Sequence, residues 1–164
     1  MNLISIPAMQ DNYIWLLANE QRECLIVDPG VASPVLHYLT ENKLTPKAIL
    51  LTHHHNDHDG AVEEVVNRYR CKVYDRYNLI EGINDIDNFR FEVIYTPGHK
   101  EDLISIYFKK EKAMFVGDFI FRDSIGRCDL VGGDMDEMIH SIGKIKMYPR
   151  DIKIYPGHGE ETTL

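Results

Sequence analysis

The chain has 164 residues, of which 44% are hydrophobic and 27% charged, as expected for one globular domain with a single core. Its formal net charge is −8 at pH 7 and no stretch is densely basic, which argues against a nucleic-acid partner, because binding phosphates requires a positive face. No segment approaches the ~20 apolar residues that span a bilayer, so we expect one domain over residues 1–164 and no membrane partner.

Short apolar runs rich in β-branched and aromatic residues predict nine strands, with three helices between them. In chain order we predict strands at 3–6, 13–18 and 24–27, a helix at 33–42, a strand at 48–51, a helix at 60–69, strands at 71–74, 91–95, 104–108 and 113–116, a helix at 135–147 and a strand at 152–155. Ser33 and Pro34 would be the N-cap and first position of the first helix. Residues 77–88 are predicted to be an irregular polar excursion. Many strands with few helices favour sheets packed face to face, with the helices outside.

Cysteine usage and the N-terminus indicate the compartment. The three cysteines are scattered and form no Cys-x-x-Cys pair, which is typical of a reducing compartment. The first residues contain no basic segment followed by a long apolar run, so they do not resemble a signal peptide. We therefore expect a cytoplasmic protein, while the oligomeric state stays open.

The segment from residue 53 to residue 58 carries four histidines and one aspartate between a predicted strand and a predicted helix. In extended backbone alternate side chains share a face, so His53 and His55 can reach one ion while His54 points elsewhere. Asp57 and His58 follow where the chain turns into the helix, and they can address a second ion. Imidazole and carboxylate together suit Zn²⁺, Fe or Mn better than Ca²⁺ or Mg²⁺. The alternative interpretation is a histidine-rich surface loop that binds no ion.

Three further polar residues stand directly after predicted strands. His99 and His158 each end a Pro-Gly-His sequence, and Asp118 follows an apolar run that ends in glycine. Strand ends in turns are places where a rigid sheet can aim side chains at a shared site. Each residue is ordinary when taken alone, but together with the histidine segment they predict a metal centre.

These motifs, in this order, resemble the metallo-β-lactamase superfamily: His-x-His-x-Asp-His at 53–58, Pro-Gly-His at 97–99, Gly-Asp at 117–118 and Gly-His at 157–158. Residues 6–8, 11–15 and 24–30 are most similar to glyoxalase II, the hydroxyacylglutathione hydrolases. The resemblance covers essentially the whole chain, and we expect the helical C-terminal domain of glyoxalase II to be missing. It implies an α/β (α+β) fold, a four-layer αββα sandwich with the ions at one edge.

The resemblance also implies two divalent transition-metal ions, with Zn as the first expectation and Fe or Mn as alternatives. The implied ligands of the first ion are His53, His55 and His99. The implied ligands of the second ion are Asp57, His58 and His158, with Asp118 and a hydroxide bridging the two ions.

Four residues receive further roles, those of Asp28 and Arg127 by the same resemblance. Asp57 would also hold the remaining proton of the bridging water, which makes it the expected catalytic side chain. Asp28 would lie behind the ligands and orient their loops, with a capped turn as the alternative. Arg127 and Lys100 are the basic candidates for substrate binding, and a surface or loop-anchoring arginine is the alternative for Arg127.

The implied reaction is attack of the bridging hydroxide on a thioester carbonyl of an acylglutathione, such as lactoylglutathione. Two ions lower the pKa of a shared water from ~15.7 toward neutrality and stabilise the oxyanion, so no side-chain nucleophile is required. The alternatives are a lactonase or other ester hydrolase, a persulfide dioxygenase with one iron, a β-lactamase, and a metal-binding module without catalysis. The absence of a signal-peptide pattern argues against a β-lactamase, and the acidic charge argues against a nuclease.

Three departures from the family pattern affect the surroundings of the ligands. Residues 100–103 are Lys-Glu-Asp-Leu where the family has Thr-x-Gly-His or Thr-x-Gly-Ser. Phe119 replaces the threonine after Gly-Asp, and Gly159 stands where the family has glutamate followed by tyrosine. These changes indicate either altered specificity or reduced activity.

Overall fold

A computed structural model describes residues 1–164 as two β-sheets and four helices. The first sheet has the spatial order β1 (Asn2–Ala8), β2 (Asn12–Ala18), β3 (Glu23–Val27), β4 (Thr45–Leu50) and β5 (Lys72–Tyr74). The second sheet contains β6 (Gly82–Ile86), β7 (Phe89–Tyr95), β8 (Ile104–Phe108), β9 (Ala113–Gly117), β10 (Lys153–Pro156) and β11 (Thr162–Thr163), adjacent to one another in that order. The helices are α1 (Ala32–Glu41), α2 (Asn56–Asp59), α3 (Val62–Tyr69) and α4 (Met135–Ile145).

The core between the two sheets forms because alternate side chains of each strand point to opposite faces. Trp15 and Leu17 of β2 belong to a buried apolar cluster that also contains Phe91 of β7 and Phe115 of β9. This cluster draws on both sheets, so the sheets pack face to face. Burial of several aromatic and aliphatic side chains here stabilises the folded chain.

The outer faces of the sheets are covered by helices. Val35 of α1 and Val65 of α3 join the cluster that contains Ile14 and Leu16, the other face of β2. On the second sheet, Met138 and Ile145 of α4 pack with outward-facing residues of β7 to β10. The layer order is therefore αββα, which confirms the predicted fold class.

The strand directions bring several strand ends to one edge of the sandwich. In the first sheet β3 and β4 are parallel, and β2 runs antiparallel to β3, so the start of β2 lies beside their carboxyl ends. In the second sheet β7, β9 and β10 run in the same direction. The Tyr13 amide donates to the Gly157 carbonyl across the two sheets at 3.1 Å. Loops from both sheets therefore meet at this edge.

Some local predictions were wrong. Helix α1 begins at Ala32, and its N-cap is Val31 without a side-chain hydrogen bond, so Ser33 and Pro34 are second and third in the helix. Proline is tolerated there because the first turn has no intrahelical acceptor for its missing N–H. The predicted helix 60–69 is two helices, α2 and α3, separated by two residues. Residues 77–88 contain β6, an edge strand that pairs antiparallel with β7 and leaves Ile83 and Asp85 exposed.

None of the four helices is both long enough and apolar enough to cross a membrane.

Candidate metal centre

All seven predicted ligand side chains converge at the edge where the strand ends meet. Four of them lie in the segment after β4, and single ligands follow β7, β9 and β10. They form two groups whose candidate ligand atoms lie within 4.8 Å of one another. The first ligand group is His53, His55 and His99. The second ligand group is Asp57, His58, Asp118 and His158.

The first ligand group consists of imidazoles only. His99 Nε2 lies 3.2 Å from His55 Nδ1, and the His53 ring lies edge-on to both other rings. His53 is 1% exposed and His99 4%, whereas His55 is half-buried. Three imidazole nitrogens at this separation suit one transition-metal ion.

The second ligand group combines two imidazoles with two carboxylates. Asp57 Oδ2 lies 3.0 Å from His158 Nε2 and 3.4 Å from His58 Nε2. His58 is fully buried, while the side chain of His158 is 26% exposed. The second group therefore opens toward solvent on the side of His158.

Asp118 lies between the two groups and directs one oxygen at each. Its Oδ2 is 3.6 Å from His99 Nε2 and 3.9 Å from His53 Nε2. Its Oδ1 is 3.2 Å from His58 Nε2 and 3.4 Å from His158 Nε2. A carboxylate placed in this way can serve both groups at once.

A buried hydrogen-bond network behind the ligands involves Asp28, the residue predicted to orient their loops. Its Oδ1 accepts from the Thr52 amide at 2.8 Å, and its Oδ2 accepts from the Thr52 hydroxyl at 2.6 Å and faces His58 Nδ1 at 3.0 Å. Since the Thr52 hydroxyl donates to Asp28, its lone pair faces His53 Nδ1 at 3.0 Å. Both imidazoles therefore place a proton on Nδ1 and turn Nε2 toward the other ligands.

Two further ligands are oriented by acceptors in the same manner. His99 Nδ1 lies 2.8 Å from the backbone carbonyl oxygen of Arg127, which can only accept. His158 Nδ1 lies 3.0 Å from a carboxylate oxygen of Asp11. These acceptors hold the His99 ring with its Nε2 directed at the first ligand group and the His158 ring with its Nε2 directed at the second. Metal-ligating histidines are commonly oriented in this way.

Three buried polar atoms at the centre have no hydrogen-bond partner: His53 Nε2, His58 Nε2 and Asp118 Oδ1. Buried polar atoms are rarely left unpaired, because each costs about 1–3 kcal/mol. All three belong to the convergent ligand atoms, and imidazole nitrogen with carboxylate oxygen is a donor set for transition metals. The residues therefore fit metal ions.

The pKa values in the second ligand group reflect the close approach of its imidazoles and carboxylates. The nearby imidazoles of His158 and His58 lower the pKa of the Asp57 carboxyl well below its usual range. Burial opposes ionisation of Asp118, but the proximity of the same two imidazoles outweighs it and lowers the pKa of this carboxyl. The carboxylates of Asp118 and Asp57 raise the pKa of His158 to about 10. Burial instead lowers the pKa of His53. The second group therefore attracts positive charge.

Two glycines permit the close approach of the ligand loops. A Cβ on Gly157 would lie 2.4 Å from His58 Cε1 and 2.8 Å from Asp118 Oδ1. Gly117 adopts φ +53°, and a Cβ there would lie 2.3 Å from the Thr52 hydroxyl oxygen. Glycine at these strand ends is needed because any side chain would displace a ligand or its support.

His54 points away from both ligand groups. Its Nε2 lies 2.8 Å from Asp75 Oδ2, and its Nδ1 lies 3.1 Å from Asp59 Oδ2. Burial opposes a charge on this ring, but hydrogen bonds with the two carboxylates raise its pKa. His54 thus links the end of α2 to the loop after β5.

The two basic residues predicted to bind substrate are engaged with neighbouring carboxylates. The exposed guanidinium of Arg127 donates to both oxygens of Asp129 at 2.7 and 2.9 Å. Lys100 Nζ donates to Asp102 at 3.1 Å, and only 17% of its side chain is exposed. Arg127 reaches the first ligand group through its backbone carbonyl, not its charge.

Sequence reasoning missed Asp11, in the turn between β1 and β2, and Asn12, the first residue of β2. Asp11 contacts His158, and Asn12 Nδ2 donates to Asp57 Oδ2 at 3.1 Å. Both residues were noted only as part of a family-like stretch. Their contacts depend on pairing between distant strand ends, and no local pattern in the sequence encodes that.

Two clefts, of about 770 and 750 Å³, share Arg122, Gly159 and Glu160 in their walls. The larger one contains no ligand residue, so volume alone does not identify the reactive site. The smaller one includes His158 and therefore opens onto the second ligand group. Arg122, which pairs with Glu160, is the arginine in its lining and was not singled out from the sequence.

Comparison with protein families gives an independent result. The profile described as the metallo-beta-lactamase superfamily matches residues 10–81 and 75–158. Relatives named hydroxyacylglutathione hydrolase are 45% identical in Pectobacterium atrosepticum and 43% identical in Edwardsiella ictaluri. Each alignment covers 96% of this chain and 66% of the relative, so the chain spans about two thirds of the length of these relatives.

Solved structures share the same architecture. The BLEG-1 B3 metallo-beta-lactamase superposes with a TM-score of 0.94 at 34% identity, covering 99% of this chain and 94% of that chain. TTHA1623, crystallised in a di-iron-bound form, superposes with a TM-score of 0.87 at 28% identity, with the same coverage of 99% and 94%.

Proposed function

Because this chain belongs to the metallo-β-lactamase superfamily, we propose that it is a hydrolase that binds two transition-metal ions and cleaves thioesters. The proposed substrate class is acylglutathione, of which lactoylglutathione is one member. The position of Asp118 carries the proposal, since its two carboxylate oxygens each face a separate ligand group.

In this proposal the first ion is held by His53, His55 and His99, and the second by Asp57, His58 and His158, with Asp118 shared. Bound there, the ions would lower the pKa of a water molecule and polarise a carbonyl oxygen, which supplies a nucleophile and an electrophile at neutral pH. Zinc is our first choice because it accepts this donor set, and iron is the second, since TTHA1623 was crystallised with two irons.

The chain's own residues supply orientation and a proton acceptor. Asp57 engages its Oδ2 with His158, His58 and Asn12, so its other oxygen is free to hold the proton of the attacking water. Asp28 and Thr52 fix the rings of the buried histidines, so these ligands need no rearrangement during the reaction.

The substrate class rests on the relatives and on the cleft beside His158. Glutathione carries two carboxylates, and Arg122 in the wall of this cleft can recognise one of them by charge-assisted hydrogen bonds. Arg127 and Lys100 remain candidates, but neither lines this cleft, and each is paired with a carboxylate, as Arg122 is with Glu160. The three free cysteines agree with a cytoplasmic enzyme, which is part of this proposal.

The test compares hydrolysis of lactoylglutathione and of a short glutathione-free thioester by protein loaded with zinc or iron. We expect both to be cleaved, with lactoylglutathione preferred. Loss of both activities in His55→Ala would assign them to the metal centre. Absence of thioester hydrolysis with either metal would contradict the proposal.

A second candidate is hydrolysis of a β-lactam amide, because BLEG-1 is named a B3 metallo-beta-lactamase and covers nearly the same length. The same two-ion chemistry would serve both reactions. A chromogenic cephalosporin and a lactone, tested beside the thioesters, distinguish the candidates by their kcat/KM values. A higher value for the cephalosporin than for either thioester would favour the β-lactamase.

A further inference from the structure

Asp11, in the turn between β1 and β2, and Asn12, the first residue of β2, contact the second ligand group and not the first. Asp11 Oδ1 lies 3.0 Å from His158 Nδ1, and Asn12 Nδ2 donates to Asp57 Oδ2 at 3.1 Å. Asp11 and Asn12 are therefore in direct contact with two of the four side chains of the second ligand group. Of these two, Asp57 follows a strand of the first sheet and His158 follows a strand of the second.

Backbone contacts fix the turn against the loop that carries His158. Asn12 and His158 form an isolated antiparallel bridge, and the Tyr13 amide donates to the Gly157 carbonyl at 3.1 Å. The Gly159 amide donates to the Asp11 carbonyl at 3.1 Å. These bonds hold the position of the two side chains relative to His158.

The two ligand groups are supported differently. His53 and His99 are oriented by Thr52 and by a backbone carbonyl, and both rings are almost fully buried. His158 is oriented by Asp11, whose side chain is 65% exposed, and is itself 26% exposed. An exposed carboxylate is the only side chain bonded to Nδ1 of this imidazole.

We infer that Asp11 and Asn12 are positioning residues for the metal ion of the second ligand group. Removing the Asp11 side chain would lower the affinity of the second ligand group for its ion and leave the affinity of the first ligand group unchanged. The inference rests on the two-ion proposal. Its physical cause is the hydrogen bond to Nδ1, which fixes both the ring orientation and the proton position, so that Nε2 keeps its lone pair for the ion. Asn12 holds Asp57 beside it by donating to the carboxylate.

The test is a stepwise Zn²⁺ titration of the metal-free full chain, in wild type and three variants. In Asp11→Ala we expect the Kd for Zn²⁺ at the second ligand group to rise about 10–100-fold. The Kd for Zn²⁺ at the first ligand group should change less than about threefold. Asp11→Asn keeps an oxygen acceptor and should recover most of the second affinity. Asp123→Ala is the matched control, because Asp123 is exposed and lines the same cleft.

The outcomes separate three cases. Wild-type affinities in Asp11→Ala would overturn the inference and leave the two-ion proposal standing. An equal loss of Zn²⁺ affinity at both ligand groups, or a lower melting temperature of the metal-free variant, would show that Asp11 has a general structural role. Either result would also overturn the inference. A wild-type chain that binds one Zn²⁺ would contradict the two-ion proposal itself, and the inference with it.

Discussion

Asp118 is the residue that joins the two ligand groups. Its two oxygens face imidazoles of different groups at 3.2 to 3.9 Å, so its removal takes a ligand from each. We expect Asp118→Ala to lose affinity for both ions and at least ~100-fold in turnover, the scale of a major electrostatic contributor. Metal content and steady-state kinetics measure this, with Asp136→Ala on α4 as the exposed control. Retention of two tightly bound ions would show that Asp118 is not shared.

A substitution of His54 tests whether alternate residues of the histidine segment, His53 and His55, are the metal ligands. The His54 ring bonds to Asp59 and Asp75, away from both ligand groups, whereas His55 belongs to the first ligand group. We expect His54→Ala to keep turnover within about twofold and to lose about 1 kcal/mol or less of stability, since these bonds are partly exposed. His55→Ala should abolish turnover. Equal kinetic damage in the two variants would contradict the assignment.

The segment from residue 119 to residue 129 borders the cleft beside His158 through residues 121–124. Arg122 lines the cleft and pairs with a glutamate, while Arg127 is held by both oxygens of Asp129. We predict that Arg122→Gln lowers kcat/KM for lactoylglutathione by roughly 10–100-fold, equivalent to about 1.5–3 kcal/mol for a lost charge-assisted hydrogen bond. The short neutral thioester should be cleaved at the wild-type rate.

Arg127→Gln provides the comparison within the same element. We expect a smaller loss of glutathione preference than in Arg122→Gln, because Arg127 does not line the cleft beside His158 and its guanidinium donates to both oxygens of Asp129. A larger loss in Arg127→Gln would place the carboxylate of the substrate at residues 127–129.

The elements differ in how far the sequence could predict them. The β-sandwich and its seven ligand-type side chains follow from apolar strands, each ended by a conspicuous polar residue. Strand β6 was not predicted because a strand at the edge of a sheet does not need alternating apolar and polar residues. It is a strand because its backbone pairs with β7. Asp11 lies 147 residues from His158 in the chain, so only the antiparallel pairing of β2 with β3 and the contact between sheets reveal its role.

For the whole molecule, metal ions should stabilise the folded state. Ligands that bind only the native chain add about 2.7 kcal/mol at 100 times Kd. For a chain of this size that corresponds to a rise in Tm of roughly 5–10 °C. We expect this rise when Zn²⁺ is added to the metal-free protein, and a smaller one in Asp118→Ala. An unchanged Tm would show that the seven side chains do not bind the ion in the native state.

The number of ions needed for thioester cleavage tests the central claim most directly. Metal-free protein is titrated with Zn²⁺ while lactoylglutathione hydrolysis and bound metal are measured in the same samples. Two ligand groups joined by one carboxylate predict that hydrolysis reaches its plateau at two equivalents per chain. A plateau of activity at one equivalent, with no second ion bound, would contradict the two-ion hydrolase.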